Sequence, residues 1–298
     1  MNKRSVIIYL TVIGVLLLGA LGWYAASFLE RTPASAKFDG TRALADVQTQ
    51  VAFGPRIPQT EGHAKVEEWM RSELEAAGWT VEVQSSQQMG HPVENLVAKR
   101  GDAPPQIILG AHYDSRIYAD HDPDPNLRTQ PMPGANDGAS GVAVLLELAR
   151  TLPDDIPSTW LAFFDAEDNG NIPGWDWLLG SRAFVEQNPV RPRAVIVVDM
   201  IGDSDLNIYM EQNSNVALSD EIWQTAANLG YSAAFIPQVK YSMLDDHTPF
   251  LQAGIPAVDI IDFDYPYFLT TRDTPDKVSA QSLKIVGDTL WAWVTQQK

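Results

Sequence analysis

Four short apolar runs, Gln106–His112, Thr159–Asp165, Ala194–Asp199 and Pro256–Ile261, do most to restrict the fold. None alternates strictly between apolar and polar residues, so each expects cover on both faces, as the strands of a parallel sheet have. Stretches of helical spacing separate them, which gives a layered α/β fold with a largely parallel sheet. One such stretch, Gly134–Ala149, has Val142, Leu145, Leu146 and Ala149 on one face, with Asn136 and Asp137 among small residues where the helix begins. A carboxylate fixed at that point is either a helix cap, the commoner role, or part of a site.

Further helices are expected from Phe38 to Phe53, stopped by Gly54-Pro55, from about Glu61 to Ala77, stopped by Gly78, and from about Ser279 to Thr295. Short strands are expected at Trp79–Val83 and Asn95–Ala98, with a polar connection between them. Residues 116–133 are rich in Asp and Pro, lack periodicity and read as a long surface loop.

Ahead of this domain, Lys3 and Arg4 precede an apolar run from Val6 to Phe28. About twenty apolar residues suffice to cross a bilayer, and leading basic residues keep the amino terminus inside. Residues 1–29 are therefore expected to be a signal anchor, 30–37 a linker, and 38–298 a domain held outside the cytoplasm. Secretion after cleavage near Ala34-Ser35-Ala36 is the alternative.

With 21 Lys and Arg against 38 Asp and Glu, the chain carries a formal charge of -17, which argues against nucleic acid as a partner. There is no Cys, so a metal site has to use His and carboxylates. His112, Asp137, the pair Glu167-Asp168 and Asp199 each stand at a strand end or helix start. Strand ends are where open α/β sheets bind ligands. Carboxylates converging there repel one another unless a cation sits between them, and His nitrogen with carboxylate oxygen suits catalytic zinc. In the adjacent pair, one carboxylate can bind metal while its neighbour remains free as a general base.

These segments carry a resemblance. Gly-Ala-His112-Tyr-Asp114-Ser, Pro-Gly-Ala-Asn-Asp137-Gly-Ala-Ser-Gly, Phe-Phe-Asp-Ala-Glu167-Asp168, Gly180-Ser-Arg and Val-Val-Asp199-Met are similar, in order, to the motifs of metallopeptidase family 28. That family joins co-catalytic zinc aminopeptidases to the animal-type glutaminyl cyclases. The resemblance covers nearly everything from Phe38 onward and implies a three-layer α/β/α sandwich with a mixed, largely parallel twisted sheet. It makes His112, Asp137, Asp168 and Asp199 metal positions for one or two zinc ions, and Glu167 the acid/base acting on peptide amino termini. The segment from Asn169 to Leu179 and the run Asp245-Asp246-His247-Thr-Pro-Phe resemble the cyclase branch. This implies that Asp199 and Asp245 hold a network near the base and that Trp175 and Phe268 wall the pocket. On the aminopeptidase reading the same groups hydrolyse the first peptide bond.

One departure stands out. The family's last motif places a zinc-binding His after an aromatic residue, and this chain has Phe268-Leu269 there. Leucine cannot bind zinc. Zinc at the His112 position alone, substitution by His121 or His247, or a degenerate homologue that binds peptides without turning them over are the three outcomes open to the sequence.

Overall fold

A computed structural model of the protein describes residues 38–297; the expected anchor and linker lie outside the described residues. Among the described residues, no helix is long and apolar enough to cross a membrane.

The chain begins with helices α1 (Gly40–Ala52) and α2 (Glu61–Ala76), capped by the side chains of Asp39 and Thr60. Strands β1 (Thr80–Gln88) and β2 (His91–Lys99) follow as an antiparallel hairpin. The expected polar connection is mostly strand, and the turn is confined to Met89-Gly90, both at positive φ. The hairpin tip is largely exposed, so its side chains lack the apolar alternation by which strands are recognised.

Then come β3 (Ile107–His112), α3 (Ala139–Thr151), β4 (Thr159–Phe164), α4 (Leu179–Gln187) and β5 (Ala194–Asp199). The sequence ends with β6 (Ile208–Glu211), α5 (Val216–Asn228), β7 (Phe235–Tyr241), α6 (His247–Gln252), β8 (Ala257–Ile261) and α7 (Ala280–Gln296). The main sheet runs β1-β2-β4-β3-β5-β8, while β6 and β7 form a parallel pair. In the main sheet β3, β4, β5 and β8 are parallel, and β2 joins β4 antiparallel. This is a mixed α/β fold with a largely parallel central sheet.

Alternate residues of the strands feed two cores. Ile107, Leu109, Ile196 and Val198 pack with Leu145, Val286 and Leu290 from α3 and α7, while Ile108, Val195 and Val197 pack with Phe184 and Phe250 from α4 and α6. Burial on both faces is why these strands read as continuous apolar runs. Because β3, β4 and β5 lie side by side and parallel, their carboxyl ends open on one edge of the sheet, and the site forms there.

Candidate active site

His112 is the last residue of β3, Glu167 and Asp168 follow β4, Asp199 is the last residue of β5, and Asp137 immediately precedes the Gly138 cap of α3. Asp137 does not cap the helix: no side chain does so, and its Oδ2 is buried without a hydrogen-bond partner. His112 Nε2 lies 3.1 Å from Asp137 Oδ1 and 3.2 Å from Asp199 Oδ1. One ligand atom from each of His112, Asp137 and Asp199 falls within 4.8 Å of the others, and all three residues are buried.

Asp114 supports this triad from behind. Its carboxylate faces His112 Nδ1 at 3.3 Å and accepts the backbone N–H groups of Glu167 at 3.0 Å and Asp168 at 3.4 Å. One side chain thus orients the imidazole and fixes the turn that carries the paired acids. Asp273 does the same for Asp137, accepting the N–H groups of Asn136 and Asp137 at 2.8 and 3.2 Å and the Tyr265 hydroxyl at 2.6 Å. The fully buried guanidinium of Arg56 donates to the carbonyls of Tyr113, Pro133 and Gly134, tying the end of β3 to the loop before α3.

The electrostatics are those of a site short of positive charge. Burial pulls the His112 imidazole down, but Asp114, Asp137 and Asp199 outweigh it and hold the ring well above its ordinary value. Burial raises the Asp199 carboxyl to about 7, against the lowering influence of His112. Glu167 is pushed well up by burial, with His112 opposing and Asp168, Asp246 and Asp245 adding repulsion. The unpartnered Oδ2 atoms of Asp137 and Asp168 lie in the same crowd. Nitrogen from His112 with oxygens from Asp137 and Asp199, two of these ligands supported from behind, fits a divalent cation of the zinc type.

A cavity of about 370 Å³ opens over these groups, with Glu167, Asp168, Asp245, Trp177, Phe268 and Leu269 among its lining residues. The expected wall residue Phe268 is there. Trp175 is not: it stacks on His91 with ring centroids 3.7 Å apart, and Trp177 takes the cavity position. The two tryptophans are two residues apart in a segment without regular structure, where no periodicity assigns a face to either.

Around Leu269 the site departs from a two-metal arrangement. Leu269 is buried in the cavity wall, so Asp137 and Asp168 have no imidazole from that position. A cation does approach Asp168: Arg116 Nη1 donates to its carbonyl at 2.8 Å and lies 3.8 Å from Oδ1. Arg116 is itself fixed by Asp120 and by the ring of Trp177, 5.0 Å away. Of the two substitute histidines, His247 is buried beside Glu211 and Asp259, at 3.3 and 3.8 Å, and is absent from the cavity lining. His121 does line the cavity, with its ring against Phe268, but does not join the cluster of possible metal ligands.

The model of peptidase family M28 matches residues 95–294. Among solved structures, the chain is 34% identical to Tannerella forsythia glutaminyl cyclase, covering 88% of this chain and 99% of that one with a TM-score of 0.81. It is 31% identical to a Zn-dependent exopeptidase from Parabacteroides distasonis, covering 87% and 98% with a TM-score of 0.80. The aminopeptidase YwaD of Bacillus subtilis is 30% identical over 64% of this chain and 41% of its own length.

Proposed function

The chain belongs to peptidase family M28, and on that premise we propose that it is a zinc enzyme that cyclises the amino-terminal Gln of peptides and releases ammonia. The observation that carries the reading is the cavity in which Glu167 stands beside the His112, Asp137 and Asp199 cluster, with Trp177 and Phe268 in its wall. A cavity of about 370 Å³ is large enough for one amino-terminal residue. The likeness to glutaminyl cyclases over 88% of the chain supports the same choice.

His112, Asp137 and Asp199 would hold the zinc, with Asp168 beside it. Zinc, when bound, supplies a Lewis acid that polarises a carbonyl oxygen. Glu167, raised by burial and by its acidic neighbours, accepts a proton from the attacking α-amine. The bond from the α-nitrogen to the side-chain amide carbon forms, the bond from that carbon to the amide nitrogen breaks, and Glu167 returns the proton to the departing ammonia. Asp245 and Asp199 hold the network around the base, while Trp177 and Phe268 exclude water from the ring-closing geometry.

The cluster of one imidazole and two carboxylates beside a free glutamate also favours a second reading, hydrolysis of the first peptide bond. Incubation with Gln-Ala-Ala-amide separates the two: ammonia and a blocked amino terminus are expected, whereas free glutamine would sink the cyclase reading in favour of the aminopeptidase. Release of neither, with the peptide still bound, would leave a peptide-binding homologue. From the sequence we further propose that the apolar run Val6–Phe28 anchors the domain on the outer side of a membrane, secretion after cleavage being the alternative.

A further inference from the structure

A second cavity, of about 390 Å³, adjoins the first, and His121 and Phe268 line both. The two differ in charge. The first is lined by Asp120, Asp137, Glu167, Asp168, Asp199 and Asp245. The second has no carboxylate in its lining, although Asp and Glu outnumber Lys and Arg by 38 to 21 in the chain. It has instead Arg272, whose guanidinium lies over the Tyr267 ring at 4.8 Å. Among the described residues this guanidinium has no hydrogen-bond acceptor, and its side chain is exposed. Lys277 sits over the same ring at 5.1 Å but is committed to Asp276.

The walls are tied to one another and to the loops behind them by hydrogen bonds. The Asp122 carboxylate, which is buried, accepts the N–H and hydroxyl of Thr271 at 3.0 and 2.6 Å. His121 N–H bonds to the Leu269 carbonyl at 3.1 Å, and the Tyr265 hydroxyl bonds to Asp273. Fixed walls reduce the ordering cost of binding.

We propose that this second cavity is a subsite for the residues that follow the reacting amino-terminal residue, and that it selects a carboxylate side chain through Arg272. The inference rests on the reading that the first cavity takes a peptide amino terminus. A peptide whose first residue fills that cavity leaves past the wall it shares with the second. There a carboxylate meets a guanidinium that can donate two parallel hydrogen bonds and that, among the described residues, no acid holds in a direct ion pair, Asp122 attracting it only at longer range.

The test compares Gln-Glu-Ala-amide and Gln-Ala-Glu-amide with their Lys counterparts, following ammonia, released amino acid and, separately, binding by tryptophan fluorescence. At one of the two positions Glu is expected to be preferred about fivefold, in KM rather than kcat, and less so at high salt. Arg272→Gln should abolish the preference and Arg272→Glu invert it, with kcat on Gln-amide unchanged in both. Equal affinity for Glu and Lys peptides, or a preference that survives Arg272→Gln, overturns the subsite. If no peptide and no Gln-amide is turned over, the reading of the first cavity fails instead. The fluorescence titrations then still decide the subsite by the same comparison.

Discussion

The backbone N–H of His121 donates to the carbonyl of Leu269 at 3.1 Å, tying the Asp- and Pro-rich loop to the point where the family resemblance expects a zinc-binding imidazole. Leu269 has φ 53 and is buried in the cavity wall, so an apolar side chain is packed into a conformation uncommon for leucine. The position is held by its surroundings, and its side chain faces the same space as Asp168. Leu269→Val would suffer more there than Leu269→His, since β-branched residues tolerate positive φ least.

Leu269→His should therefore restore a metal ligand without rearranging the wall. The natural domain is expected to bind about one zinc per chain, through His112, Asp137 and Asp199, and the variant to bind more. Elemental analysis of residues 38–298, side by side, measures this. No zinc in the natural domain and about one in the variant would mean that the His112 position does not hold metal alone, and would move the binding-only reading to the front.

The two tryptophans of the 169–179 segment make a second test. Trp177 lines the cavity and lies against Arg116, so Trp177→Ala should lower kcat/KM by about tenfold or more, with most of the loss in KM. Trp175 is half-buried against His91 and packs with Val93, Ala166 and Leu179. Trp175→Ala is expected to cost about 1 kcal/mol of stability and little activity. Steady-state kinetics with a thermal melt on each variant would reject the assignment if the two effects were exchanged.

What was legible in the sequence follows from locality. His112, Asp137 and Asp199 could be found because each stands where a buried strand ends or a helix begins, and the sheet brings those points together. Asp273 could not, because its partners at Asn136 and Asp137 are 137 and 136 residues away and its own segment has no periodicity. Arg56 and Arg116 were missed for the same reason: both act through backbone carbonyls of remote loops, which leave no mark on composition. Strand β7 escaped because most of its side chains are exposed, so apolar patterning had nothing to report.

Glu167 is the group on which either chemical reading depends. Glu167→Gln keeps the shape of the side chain but cannot carry a proton, and should reduce turnover by about 10²- to 10⁴-fold. Because Glu167 does not belong to the His112, Asp137 and Asp199 cluster, zinc content should stay at the natural level. Retained activity in a fully metallated variant would remove Glu167 from the mechanism; loss of metal along with activity would make it a ligand instead.

Glu211 gives a prediction about stability rather than catalysis. Burial opposes its ionisation, but the His247 ring at 3.3 Å and the N–H groups of Asn213 and Met243 outweigh that and hold the carboxyl at about 2, below its ordinary 4.5. A folded value below the unfolded one means that the ionised form favours folding. That contribution is fully present above about pH 4.5 and is lost as the pH falls toward 2. Glu211→Gln places an amide among the N–H donors of Asn213, Ser214 and Met243, one of which then lacks a good acceptor. The variant should be less stable by about 1–3 kcal/mol at neutral pH. Urea unfolding at neutral pH and at several points below 4.5 should show the gap between the two proteins narrowing. A gap that stayed constant with pH would mean that Glu211 titrates alike in the folded and unfolded chain, and that its hydrogen bonds alone account for the difference.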